Sequence, residues 1–195
     1  RFRFRLHDAG TIVGGMLILP ATPGVISSFA AEAEAAPEEL SAIANIMAAP
    51  PMPFVPSEHH GKLVILAMLA YAGAVESGER AIAPFRALAA PLADLVRPMR
   101  YPELYKLIED GPRPVGESAR SLFMDSVDRS TAQVVLDHLR ASTAPLAQTR
   151  LAGANPEARP AGPRSENRLD RACPGAFTRR SATPPSTTRL RGGVR

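Results

Sequence analysis

Leu63-Val64-Ile65-Leu66-Ala67-Met68-Leu69-Ala70-Tyr71 is the stretch that decides the fold of this chain. In an extended strand, successive side chains point to opposite faces. Leu63, Ile65, Ala67 and Leu69 therefore share one face, and Val64, Leu66 and Met68 the other. Both faces are apolar, and a strand of that kind is covered on both sides. The run is far shorter than the roughly 20 residues that a membrane helix needs. It reads as a buried strand over 62–71.

The neighbouring segments repeat the pattern. Over 12–19, Ile12, Met16 and Ile18 oppose Val13, Leu17 and Leu19, again apolar on both faces. Over 41–47, Ala42, Ala44 and Ile46 form a small apolar face suited to close helix packing, while Ser41, Ile43, Asn45 and Met47 form a mixed one. Upstream, Arg1-Phe2-Arg3-Phe4-Arg5-Leu6-His7 alternates basic and apolar residues with the period of a half-buried strand. Asp8-Ala9-Gly10 turns it into the strand at 12–19. A chain that opens inside such a pattern implies polypeptide ahead of it. Further strands are expected over 92–97, 119–124 and 145–151.

Four helices are expected between them. Thr22 is an N-cap residue with Pro23 at the first helical position. Val25, Ile26, Phe29, Ala30 and Ala33 follow on one face, and the helix ends by Pro37. A second helix spans 78–90, with Ile82, Phe85 and Leu88 inward, Pro84 near its start and Pro91 ending it. A third, short, lies within 102–110. The fourth begins near Asp128, buries Ala132, Val135 and Leu139, and stops before Pro145. A hairpin start followed by irregular alternation excludes a doubly wound sheet. The expected class is α+β: a mostly antiparallel sheet with helices on one face. The other face then needs a layer that the chain does not obviously supply, either another domain or a ligand.

Composition sets further bounds. Of the 195 residues, 45% are hydrophobic and 5% aromatic, and there is no Trp. That suffices for one domain with a core. The net charge of +4 misleads, because the total is 23 bases and 19 acids. Ten of the bases are arginines from Arg150 onward, opposed there only by Glu157, Glu166 and Asp170, so the body before them is mildly acidic. The body gives no reason to expect nucleic acid. Cys173 is the single cysteine, so no intramolecular disulfide forms and nothing indicates an oxidising compartment. The expected location is cytoplasmic, with no membrane segment. The domain is expected over 1–151. Over 152–195, Arg, Pro, Ala, Ser, Thr and Gly dominate without period, which marks a disordered basic tail. The same composition arises when a GC-rich gene is read in a shifted frame.

Several clusters invite chemical readings. Glu58-His59-His60 has metal-ligand residue types, but adjacent His residues on extended backbone point apart. A solvated loop is the expectation, with no metal. Gly14-Gly15 lacks the third glycine and the helix of a dinucleotide fingerprint. It fits a bulge or a close backbone approach, to a neighbouring segment or a bound ring. Ser118, Asp125, Asp137 and His138 lack the strained nucleophile turn of a hydrolase. Tyr101 and Tyr105, four apart, share a helix face. They fit either packing at a domain edge or a phenol pair near substrate. Ser41 and Asn45, on the mixed face of a central strand, need partners if buried. Substrate, water or a loop would serve.

Specific segments resemble a known family. Phe2-Arg3-Phe4-Arg5-Leu6-His7 followed by Thr11-Ile12-Val13-Gly14-Gly15-Met16-Leu17-Ile18-Leu19-Pro20-Ala21 resembles the opening of the substrate domain of berberine-bridge-enzyme-like FAD-linked oxidases. These are flavoproteins of the vanillyl-alcohol-oxidase type, with a PCMH-type FAD-binding domain. Val96-Arg97-Pro98-Met99-Arg100-Tyr101-Pro102-Glu103-Leu104-Tyr105 resembles the family's Met-Pro-Tyr-x-x-Leu-Gln segment, with Arg100 in place of Pro and Tyr105 in place of Gln. Ala36-Pro37-Glu38-Glu39-Leu40 and Pro50-Pro51-Met52-Pro53 fit the same series, and the likeness covers 1–151.

The resemblance implies an antiparallel sheet backed by helices, whose bare face roofs the isoalloxazine ring of FAD. The Gly-rich pyrophosphate loops and the flavin-anchoring His belong to a domain not within these residues. Cys173 lies on the wrong side of the substrate domain to link flavin. The tail has Asn155 and Asn167 but no Tyr to match the family's returning C-terminal segment. The implied activity of the whole protein is FAD-dependent oxidation of a small-molecule substrate, this part alone being inactive. From a different class, the residues also fit a free-standing α+β ligand-binding or dimerisation module with a basic arm for anionic partners. If the tail is a frame-shifted translation, a neighbouring reading frame past Leu151 resumes a strand–helix pattern. Sequencing the gene checks this.

Overall fold

The computed structural model describes residues 10–107, 118–144 and 146–153. All of these fall within one unit, Arg1–Ala158. The expected strand over 2–7 and the expected disordered tail over 152–195 lie outside the described residues, apart from Ala152 and Gly153.

The path runs β1 (Thr11–Pro20), α1 (Pro23–Ala35), β2 (Leu40–Ala48), β3 (Leu63–Tyr71), α2 (Val75–Ala87), β4 (Ala93–Asp94), β5 (Arg97–Arg100), α3 (Tyr101–Lys106), α4 (Arg129–Ala141) and β6 (Gln148–Ala152). The six strands form one sheet in the order β4-β1-β3-β2-β6, with β5 also paired to β1. Every described pairing is antiparallel. The fold is α+β. From β1 to β4 it follows a β-α-β-β-α-β path, the split-βαβ or ferredoxin-like arrangement. The doubly apolar strand β3 lies between β1 and β2: Leu69 faces Gly15 on one side and Ala42 on the other.

On one face, Val13, Leu17, Leu19, Ala44, Ile46, Ile65, Ala67 and Leu69 pack against Ile26 and Phe29 of α1, Ile82 and Phe85 of α2, and Ala132, Leu136 and Leu139 of α4. Phe29 and Phe85 meet edge to face with ring centroids 5.2 Å apart, a geometry that adds to their area burial. Helix α1 forms where the capping residues lie: the Val25 N–H donates to Thr22 Oγ1 at 3.2 Å. Asp128 caps α4 in the same way, accepting from the Thr131 N–H at 2.8 Å. In α4, Leu136 is fully buried and Val135 only partly so. The inward stripe is therefore Ala132, Leu136 and Leu139, one residue off the expected phase at its centre.

Helix α2 begins at Val75, a turn before the expected Gly78. Gly78 is an interior contact and not a start signal. A Cβ there would come within 2.7 Å of Val13 Cγ2, so only glycine lets α2 approach β1 this closely. Pro84 therefore sits well inside the helix, where it removes the bond to the Arg80 carbonyl.

The single strand expected over 92–97 is divided. β4 and β5 flank Leu95 and Val96, which continue alongside β1 in the same register and approach the backbone closely at Gly15. Gly15 has φ +148°, and a Cβ on it would lie 2.3 Å from the Leu95 carbonyl oxygen. Arg86 fixes this segment. Its guanidinium donates to Asp94 at 2.7 Å, to Glu79 at 2.6 Å and to the Val96 carbonyl at 3.2 Å. Burial opposes the charge on Arg86, but the two carboxylates outweigh it and raise the pKa. The strand expected over 119–124 does not form. Leu122 and Phe123 are 72% and 93% exposed, without secondary structure.

Gly15→Ala is expected to lower stability by roughly 2 kcal/mol or more, because backbone strain and overlap with Leu95 add. Gly10→Ala, at positive φ but with open space around it, costs less. Denaturant midpoints at unchanged m-value compare the two.

Candidate functional site

The second face of the sheet is covered only in part. Met16, Ile18, Val64 and Leu66 form a second buried cluster with Ala49 and Val55. Met52, Leu92, Ala93, Leu95 and Leu107 pack against it. The chain supplies this cover itself, which corrects the expectation that the whole face needs a foreign layer. The loop between β2 and β3 closes through Ala49 N–H to the Lys62 carbonyl and Gly61 N–H to the Ala49 carbonyl, both 2.9 Å. Val55 is thereby folded over Val64 and Leu66. His60 shares a 3.0 Å hydrogen bond between its Nε2 and the Val55 carbonyl. His59 ends the one-turn 3-10 helix Ser57–His59. Glu58-His59-His60 thus belongs to a loop that closes the core. Among the described residues no group of three His, Cys, Asp or Glu is placed to hold a metal ion.

The rest of this face is open. Ser41 is exposed, Ile43 is 37% exposed, and Met68 and Ala70 are half-buried. The register sets them side by side: Gly14, Ala70 and Ser41 form one row across β1, β3 and β2, and Met16, Met68 and Ile43 the next. The first row has little side-chain bulk; Gly14 is buried against the Ile12 side chain, and Ala70 and Ser41 form the accessible part of the row. In the third row Ile18, Leu66, Asn45 and Arg150 follow one another across β1, β3, β2 and β6. Asn45 has found a partner, since Arg150 Nε donates to its Oδ1 at 2.8 Å. That is a contact that strand patterning alone did not supply. Two of the four expected site residues, Ser41 and Asn45, therefore share this open face.

Tyr101 and Tyr105 share the exposed side of α3, as their spacing requires. Their hydroxyls are 3.3 Å apart, and their rings meet edge to face at 5.6 Å. The hydrogen bond to Tyr105 raises the pKa of Tyr101. Helix α3 is held to β5 by Glu103, which accepts from the Arg100 N–H at 3.1 Å and from Arg97 Nη2 at 3.0 Å. The Arg100 N–H first, and then Arg97, lower the pKa of Glu103. Beside it, a shallow groove of about 290 Å³ is lined by Asp94, Leu95, Val96, Arg97, Met99 and Leu107.

Asp137 bonds Gln133 and Arg140 along α4. No helix among the described residues is long and apolar enough to cross a membrane.

Two outcomes test the geometry of α3. Tyr105→Phe is expected to return Tyr101 toward the ordinary phenol range, read from tyrosinate absorbance against pH. Glu103 has a lowered folded-state pKa, so its hold on α3 is complete above the ordinary carboxylate range and is lost as pH falls through the lowered value. Ring contacts between Tyr101 and Tyr105, followed by NMR, weaken over that window; Glu103→Gln weakens them at neutral pH.

No protein-family model matches the chain, and no curated protein matches it.

Proposed function

We propose that this chain supplies the substrate-facing sheet of an FAD-dependent oxidoreductase, closing over a flavin held by a domain outside these residues. The observation that carries this reading is the division of the second sheet face. One half is covered by the chain's own loop; the other presents Ser41, Ile43, Met68 and Ala70. A flat, partly apolar surface backed by a rigid sheet suits a planar ring system. The segment carrying exposed Leu122 and Phe123 adds apolar surface for another domain to cover.

The flavin carries the redox chemistry: in a reaction of this type a hydride leaves the substrate carbon for the ring. The residues of this chain bind and orient. Ser41 offers a polar contact on the open half and the Asn45–Arg150 pair another at its margin, and the Tyr101–Tyr105 pair offers two phenol groups that donate and accept at one point. The likeness to berberine-bridge-enzyme-like oxidases over 1–151 supports the same reading.

A second reading has an observation in its favour. Half of the face is closed by the loop at 49–62, which suits a module that stands alone or pairs with a copy of itself.

The test has two parts. A hydrophobic dye is expected to bind the purified chain strongly, and Ile43→Lys to reduce that binding with little loss of stability. The gene region continuing upstream of Arg1 is then expressed together with the chain. Bound flavin absorbance that bleaches under an oxidisable substrate supports the oxidase. A stable dimer without dye binding, and without flavin in the longer product, favours the second reading.

A further inference from the structure

Arg150 is an odd residue to find on this face. Strand β6 places it directly opposite Asn45, in the row that continues through Leu66 to Ile18. Ile43 and Met47 flank Asn45 on the same side of β2. A polar residue inside an apolar row has a reason here: Asn45 Oδ1 accepts from Arg150 Nε at 2.8 Å. This bond uses the Nε edge of the guanidinium. The two Nη groups stay available, and they are the pair that grips a carboxylate in a two-pronged fashion.

Three other guanidiniums are matched to acids, Arg86 with Glu79 and Asp94, Arg97 with Glu103, and Arg140 with Asp137, while Arg80 is held on its own helix by Ser77 Oγ at 3.1 Å, away from this sheet face. Among the described residues Arg150 has no acid within ion-pair distance. In water this costs little. If the open half is closed over by another domain, as the reading above requires, an unmatched guanidinium loses its hydration and becomes strongly unfavourable. A ligand that brings its own carboxylate removes that penalty.

We infer that Arg150, steadied by Asn45, is the docking cation for a carboxylate-bearing small molecule at the margin of the uncovered half of the sheet. The inference rests on the oxidase reading and narrows its substrate class to carboxylates. Arg150 is a positioning and specificity residue, and no bond is made or broken at it.

Benzoate is the probe, titrated into the full chain while the Arg150 side-chain Nε–H resonance is followed by NMR. A saturable shift is expected, absent with benzyl alcohol and weaker with inorganic phosphate. Arg150→Gln should weaken benzoate binding roughly tenfold or more. Asn45→Ala keeps the charge and should weaken it less. Should Arg150→Gln fail to fold, Arg150→Lys retains the charge without the fork and should bind benzoate more weakly than the parent. The inference is overturned if benzoate gives no saturable shift, if phosphate binds as tightly, or if the variants bind like the parent. A longer gene product that binds flavin, paired with a chain blind to benzoate, sinks the carboxylate alone. Benzoate binding with no flavin in the longer product sinks the oxidase alone.

Discussion

Strand β3 imposes the constraint on which the rest depends. Its side chains are apolar on both faces, and it lies inside the sheet with β1 and β2 on either side. Each face must be taken out of water. Burial of a Leu or Ile is favourable by roughly 1.5–3 kcal/mol, so two faces of such residues dominate every local preference nearby. Three helices satisfy one side. The loop at 49–62 and the segment carrying Leu92 and Leu95 satisfy part of the other.

That unequal cover makes the open half a surface with a shape. Small residues at Ala70 and Ser41 keep it flat. The hidden half holds Met16, Ile18, Val64 and Leu66 rigidly beneath the loop. The polar pair Asn45–Arg150 stands at the margin, where β6 brings a charge beside an otherwise apolar face. A site on a rigid sheet holds its groups more precisely than one on a loop, and this sheet is fixed at its other margin by Arg86. That one guanidinium ties α2 to β4 and to the Val96 carbonyl. It thereby sets where β5 and α3, and so Tyr101 and Tyr105, leave the sheet.

Much of the fold was legible in strand and cap patterning. The strands now seen as β1, β2 and β3 were read from apolar alternation, and α1 from Thr22-Pro23. The small face of β2, with Ala42, Ala44 and Ile46, does lie under the helices. Less legible were features that depend on another segment. Gly78 resembled a helix boundary and is a contact with Val13, whereas the close backbone approach expected at Gly14-Gly15 is the one Leu95 makes to Gly15. The 119–124 stretch had strand composition, but composition does not supply a partner, and among the described residues it pairs with no strand. Of the site, the shared face of Ser41 and Asn45 followed from period two, and the Tyr101–Tyr105 contact from helical spacing. The part played by Arg150 is not legible in its own segment, because its partner Asn45 lies 105 residues away in sequence.

Local order thus decided what each segment is. The side-chain period of 2 or 3.6 and the capping residues are properties of a few consecutive amino acids, and they survive without knowledge of neighbours. Tertiary structure decided what is covered. Whether Val64 and Leu66 meet a foreign domain or the chain's own Val55 depends on how a loop with four prolines and a His60–Val55 bond folds back. Long-range closure of that kind is written in no window of the sequence, because it depends on the meeting of surfaces far apart along the chain.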